Sequence, residues 1–130
     1  MVLDTSALVA MLFHEPERDA MLRALHAAPQ RTVSAGTLLE AGMVVEGRAG
    51  IDAGIALDAF LARIDAEIVA VDEQQSRLAR NGWRRFGKGN HPAGLNFGDC
   101  FAYALARATD APLLFKGDDF ARTDVLAAPY

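Results

Sequence analysis

Val2-Leu3-Asp4-Thr5-Ser6-Ala7-Leu8 is the stretch on which the reading of the fold turns. Two apolar residues followed directly by an acid read as a short buried strand that ends in a carboxylate. Thr5 and Ser6 then offer caps for a helix beginning near Ala7. Working outward, the pattern repeats. Pro16 fits the first turn of a helix that runs to about Ala27 and is closed by Pro29. Arg31 to Ser34 reads as a second strand. Leu38 to Arg48 has apolar residues at helical spacing, with Gly50 as its stop, and Asp52 opens a helix through about Ile64. Glu67 to Val71 alternates and is β-rich, a third strand, and Asp72 caps a helix from Glu73 to about Phe86. Arg85 to Gly98 is glycine-rich and reads as a loop. Asp99 to Ala108 is a helix, and Pro112 to Lys116 a fourth buried strand. Apolar strands separated by helices predict a mainly parallel α/β sheet with helices on both faces. Such a sheet binds ligands outside the carboxyl ends of its strands.

With 130 residues, 52% of them hydrophobic, the chain has material for one core and reads as a single domain over 1–130. A chain this long buries roughly two-thirds of its unfolded surface and needs no staple. Cys100 stands alone, which fits a reducing cytoplasm. Asp4 lies where a signal peptide needs an unbroken apolar core, so secretion is not expected. No apolar run approaches the ~20 residues that cross a membrane. A net charge of −4 argues against a general phosphate binder unless some of the acids hold cations.

Most of the 17 acids, Glu15 and Glu17 among them, read as solvated surface. Four places differ. Asp4 ends a strand and is either an N-cap or a ligand. Glu40 stands among apolar and small residues, where Ala41 and Gly42 leave room for another element; alone it reads as a helix-surface glutamate. Asp99 opens an apolar helix behind Gly98, with Asn96 as an alternative cap. Asp118 and Asp119 follow the last strand and Gly117, where a plain turn is the ordinary reading. Together, three acids fall on one sheet edge and a helix delivers the fourth. Oxygen ligands without a histidine or cysteine cluster select Mg²⁺ or Mn²⁺, a pairing suited to phosphoryl hydrolysis. His14, His26 and His91 are scattered and show no ligand spacing.

Four segments carry a resemblance over essentially the whole chain. They are Val2 to Leu8, the helical Glu40, Leu95-Asn96-Phe97-Gly98-Asp99-Cys100-Phe101-Ala102-Tyr103-Ala104-Leu105-Ala106, and Leu113-Leu114-Phe115-Lys116-Gly117-Asp118-Asp119-Phe120. In order and spacing they resemble the PIN-domain ribonucleases, specifically the VapC toxins of bacterial toxin–antitoxin pairs. The resemblance implies a three-layer α/β/α sandwich and a Mg²⁺- or Mn²⁺-dependent endoribonuclease acting on RNA. It also implies a homodimer and a cognate antitoxin that inhibits it. Asp4 and Asp99 would be the principal metal ligands, with Glu40 completing the cluster. Thr5 or Ser6 would orient a carboxylate or a metal-bound water. Many relatives carry an acid where this chain has Gly117, so the fourth carboxylate falls to Asp118 or Asp119.

Arg84, Arg85 and Lys88 are candidates for RNA phosphates, or a solvated helix end favoured by the dipole. Trp83 and Phe86 could stack on bases, although packing is the commoner fate of such residues. A haloacid-dehalogenase-type phosphatase would need a second acid where Ser6 stands. A non-catalytic PIN-like module that binds RNA or protein is the alternative outside enzymes.

Overall fold

The computed structural model describes residues 1–130. Four strands, β1 (Val2–Leu3), β2 (Thr32–Ser34), β3 (Glu67–Val69) and β4 (Leu113–Leu114), alternate with six helices. These are α1 (Thr5–Leu12), α2 (Arg18–Ala27), α3 (Ala35–Ala49), α4 (Ile51–Arg63), α5 (Glu73–Phe86) and α6 (Asp99–Thr109). A short 3-10 turn covers Phe120–Arg122. All strand pairs are parallel, in the order β3-β2-β1-β4. The chain therefore builds outward from β1 through β2 to β3, then returns to add β4 on the other side of β1. The β1/β4 boundary is the point where strand order reverses, and a crevice opens there in folds of this kind.

Strand pleating sorts the core into two. Leu3, Val33 and Leu114 point into one cluster with Ala7, Leu8 and Met11 of α1, Met21 and Leu25 of α2, and residues of α3 and α4. Their neighbours Val2 and Leu113 point the opposite way, onto Leu105 and Ala106 of α6 and Phe86 of α5. Because successive strand residues face opposite sides, these two clusters are the two filled faces of one sheet. The three-layer α/β/α sandwich follows.

Local chemistry moved several boundaries. The first helix starts at Thr5, not Ala7, because Asp4 itself is the N-cap: its side chain accepts the Ser6 N–H. Ser34 caps α3 in the same way, so that helix begins at Ala35 rather than Leu38. Pro16 lies ahead of α2, which begins at Arg18. The third strand ends at Val69 and is the exposed edge of the sheet, so its apolar residues are not the buried run expected. Gly42 meets no neighbouring element; the close approach to α3 is at Gly36, against which the Phe101 ring packs. No helix is long and apolar enough to cross a membrane.

Candidate active site

Asp4 leaves the carboxyl end of β1, and its backbone N–H is still bonded to the Leu114 carbonyl of β4 (3.0 Å). This places its side chain at the strand-order reversal. The carboxylate is 2% exposed, and its two oxygens have different fates. Oδ2 accepts the Ser6 N–H (2.8 Å) and the Ser6 hydroxyl (2.6 Å). Oδ1 is buried with no hydrogen-bond partner. Burial pushes the Asp4 pKa up, against the Ser6 hydrogen bonds and the Thr5 backbone N–H, and the charge of Asp119 adds to the rise. Asp4 is thus both cap and candidate ligand, one oxygen for each role.

Glu40 is delivered by α3. Its Oε2 accepts the Thr5 hydroxyl (3.0 Å), and its carboxylate lies directly over Gly98, where any Cβ would collide with it. Gly98 is therefore a cradle: absence of a side chain admits the carboxylate between α3 and the start of α6. Desolvation raises the Glu40 pKa, with Thr5 opposing and Asp4 contributing.

Asp99 opens α6 through a reciprocal pair. The Asp99 N–H donates to Asn96 Oδ1 (2.9 Å) and the Asn96 N–H donates to Asp99 Oδ2 (2.8 Å), in the manner of a capping box. Both expected caps are used, each for the other's backbone. Partial burial, then the charges of Asp4, Glu40 and Asp119, push the Asp99 pKa up to about 7. Asp4 acts on Glu40, both act on Asp99, and Asp119 acts on Asp4 and Asp99, which links the four electrostatically. Asp118 and Asp119 are both exposed; Asp119 acts on Asp4 and Asp99, and Asp118 on neither.

Asp119 is held in place from behind. Gly117 has φ +99, a left-handed conformation that favours glycine, and Phe120 is buried against the Phe115 ring at 5.2 Å. A side chain at position 117 would be strained here, and the next carboxylates along the chain are Asp118 and Asp119.

The four acids do not close into a cage around one point. Three observations nevertheless fit a hard cation: the orphaned, buried Asp4 Oδ1, the cradle at Gly98 that admits Glu40, and an all-oxygen donor set. Like-charged carboxylates this close raise one another's pKa unless a cation compensates them.

Other expectations divide. Arg85 is engaged with Asp124 (2.7 Å) and lies over the Phe86 ring, whereas Arg84 and Lys88 are exposed and without a carboxylate partner. Phe86 is core, while Trp83 stays 48% exposed beside Phe97 and Phe101, along a groove of about 520 Å³. Glu15 and Glu17 are not simply solvated, because both bind Lys116 (2.8 and 3.0 Å). Asp124, which no sequence pattern singles out, ties the C-terminal segment down by accepting from the Tyr103 hydroxyl (2.8 Å) and Arg85.

A parallel sheet between two helical layers, with carboxylates near the point where strand order reverses, defines a class of α/β/α domains. Residues 1–126 match the PIN domain, and the chain belongs to that family. It is 50% identical over 127 residues to a protein named Ribonuclease VapC from Mycolicibacterium smegmatis, covering 98% of each chain. It is 48% identical over 125 residues to Ribonuclease VapC30 of Mycobacterium tuberculosis, covering 96% of this chain and 95% of that one. Among solved structures, it superposes on Mycobacterium tuberculosis VapC20, described as a Sarcin-Ricin loop cleaving toxin. The TM-score is 0.80 at 17% identity, over 99% of this chain and 98% of the other. VapBC2 from Rickettsia felis, bound to a DNA fragment from its promoter, gives 0.75 at 19% identity, over 97% and 94%. At those identities the structural likeness speaks for the fold.

Proposed function

We propose that the acidic cluster is the centre of a divalent-metal-dependent endoribonuclease, the toxin of a VapBC-type pair. The observation that carries this reading is the division of Asp4, with Oδ2 saturated by Ser6 and Oδ1 buried and unpartnered among acids. The identity to proteins named VapC ribonuclease supports the RNA substrate. Asp4 and Asp99 would hold the cation, Mg²⁺ or Mn²⁺, with Glu40 and Asp119 completing the set. Bound there, such a cation supplies an activated water and neutralises charge on the phosphodiester.

The chain's own groups do the rest. Ser6 fixes one Asp4 oxygen and so aims the other. Thr5 holds Glu40 over Gly98, where its raised pKa suits it to take up a proton close to the cluster. The Asn96 bond orients Asp99 while leaving Oδ1 free of protein donors. Asp119 is the fourth carboxylate, and Arg84 and Lys88 meet RNA phosphates beyond the acids.

The chain works in the cytoplasm, restrained by an antitoxin, and forms a homodimer. Support for protein partners comes from apolar side chains left in water. Leu39 and Met43 lie one turn apart on α3 at 67% and 68% exposure, and Phe97 is 80% exposed near the acids.

The test is cleavage of total bacterial RNA by the antitoxin-free chain, with Mg²⁺ or Mn²⁺, with EDTA, and with Asp99→Asn. Discrete products that need the metal and vanish in the variant are expected. Absence of cleavage together with absence of Mn²⁺ binding by calorimetry would favour a binding module instead.

A further inference from the structure

Lys116 is unlike the other cations near the site because its ammonium and its backbone act in different directions. The ammonium is held by Glu15 Oε2 (2.8 Å) and Glu17 Oε2 (3.0 Å), both on the connection between α1 and α2. Arg48 of α3 binds the other Glu15 oxygen (3.4 Å) and lies over the Phe13 ring at 4.2 Å, so that connection is itself braced. The Lys116 backbone N–H donates to Ser6 Oγ (2.9 Å). Ser6 Oγ in turn donates to Asp4 Oδ2 (2.6 Å).

The order of these bonds matters. A hydroxyl has one proton. With the Lys116 N–H filling an acceptor site on Ser6 Oγ, the Ser6 proton is directed at Asp4. Asp4 Oδ2 then receives two donors and Oδ1 none. Lys116 also directly precedes Gly117, the left-handed residue of the turn that leads to Asp119, whose charge acts on Asp4 and Asp99. A single clamp thus sets the upstream end of that turn and the rotamer of Ser6.

We propose that Lys116, clamped by Glu15 and Glu17, is a positioning residue for the acidic centre, acting through Ser6 on Asp4 and through Gly117 on Asp119. The inference rests on the metal-site reading above. Outer contacts that orient metal ligands are worth about 10–100-fold in affinity or activity. Lys116 acts one bond further out, and its ion pairs are partly exposed, so the lower end of that range applies.

The experiment measures Mn²⁺ affinity by calorimetry and RNA cleavage as separate kcat and KM, on the full antitoxin-free chain. The variants are Lys116→Met, Lys116→Arg and the double variant Glu15→Gln/Glu17→Gln. Lys116→Met is expected to weaken Mn²⁺ binding by about tenfold and to lower kcat with little change in KM. Lys116→Arg should restore most of both, since a guanidinium reaches the same two carboxylates. Glu15→Gln/Glu17→Gln should reproduce Lys116→Met while leaving the lysine present. If Lys116 instead touches RNA directly, freeing it from its acids would lower KM, and Lys116→Met would raise KM at unchanged Mn²⁺ affinity. Either result overturns the proposal. Circular dichroism identifies a variant that has lost its fold; the double variant, which keeps every backbone bond, then decides. Failure of the unmodified chain to bind Mn²⁺ would remove the metal-site reading and this inference together, whereas normal binding in all variants removes the inference alone.

Discussion

A buried carboxylate oxygen with no donor is costly, and at Asp4 the surrounding residues make it so by satisfying only its neighbour. Of the two exposed acids after Gly117, Asp119 acts on the charges of Asp4 and Asp99, and Asp118 does not. Asp119→Asn should lower cleavage beyond the roughly 10–100-fold cost of outer-shell changes, while Asp118→Asn stays near the unmodified rate. Equal losses in single-turnover assays would refute that assignment. Gly98→Ala offers a test at a residue without a side chain. The added Cβ collides with the Glu40 carboxylate, so activity should fall sharply, and Glu40→Ala should lose as much without further loss in the double variant. Asp4 and Asp99 stand out in the sequence as acids in apolar surroundings, whereas Glu40 alone reads as helix surface and joins them only through the family resemblance. The proposed choice of Asp119 over Asp118 is not legible there, because the course of the turn depends on the positive φ of Gly117 and on Phe120 turning inward. The pairing of Gly98 with Glu40 joins positions far apart in the chain, and neither residue type announces it.

Asp4 and Asp99 are delivered at the ends of elements, where backbone donors are free, while Glu40 comes from within α3. Helix α6 begins with the Asn96–Asp99 exchange, so its stability and the orientation of Asp99 are coupled. Asn96→Ala should cost about 1 kcal/mol in chemical denaturation, the usual scale for a lost cap, and should reduce Mn²⁺ affinity as well. Stability loss at unchanged Mn²⁺ affinity would show that Asp99 keeps its orientation unaided. The far side of α6 has its own tie. The Tyr103 hydroxyl donates to Asp124, which also accepts from Arg85, while Arg107 donates to the Asp124 carbonyl. Asp124→Ala leaves a largely buried phenol unpaired, at about 1–3 kcal/mol, and should spare kcat because Asp124 is remote from the acids. Helix identities and the strand sequence were readable from apolar spacing. The exposure of β3 was not, since Glu67–Val69 has the β-rich composition of an interior strand and only topology puts it on the edge.

At the scale of the whole molecule, the acidic cluster is a region of conflict that folding tolerates because a proton or a cation can resolve it. The Asp99 pKa lies at about 7 in the folded chain against an ordinary 3.8, and Asp4 and Glu40 are shifted upward too. In the metal-free protein the folded state therefore binds protons more tightly than the unfolded chain. Stability contributed by this site is present at low pH and is lost as pH rises from about 4 to about 7. A divalent cation reverses the slope, because it must displace the same proton and so binds best above pH 7. With Mn²⁺ at 100 times its dissociation constant at pH 8, linkage predicts about 2.7 kcal/mol of added stability. Two pH units below the Asp99 pKa, proton competition weakens apparent affinity by about 100-fold, and the same Mn²⁺ adds only about 0.4 kcal/mol. Thermal melts with Mn²⁺ or EDTA at pH 8 and pH 5 measure both numbers. In Asp99→Asn the metal-free decline between pH 4 and 7 should shrink, and the Mn²⁺ effect at pH 8 should largely disappear. Equal Mn²⁺ stabilisation at the two pH values would mean that the cation binds somewhere other than among these four carboxylates.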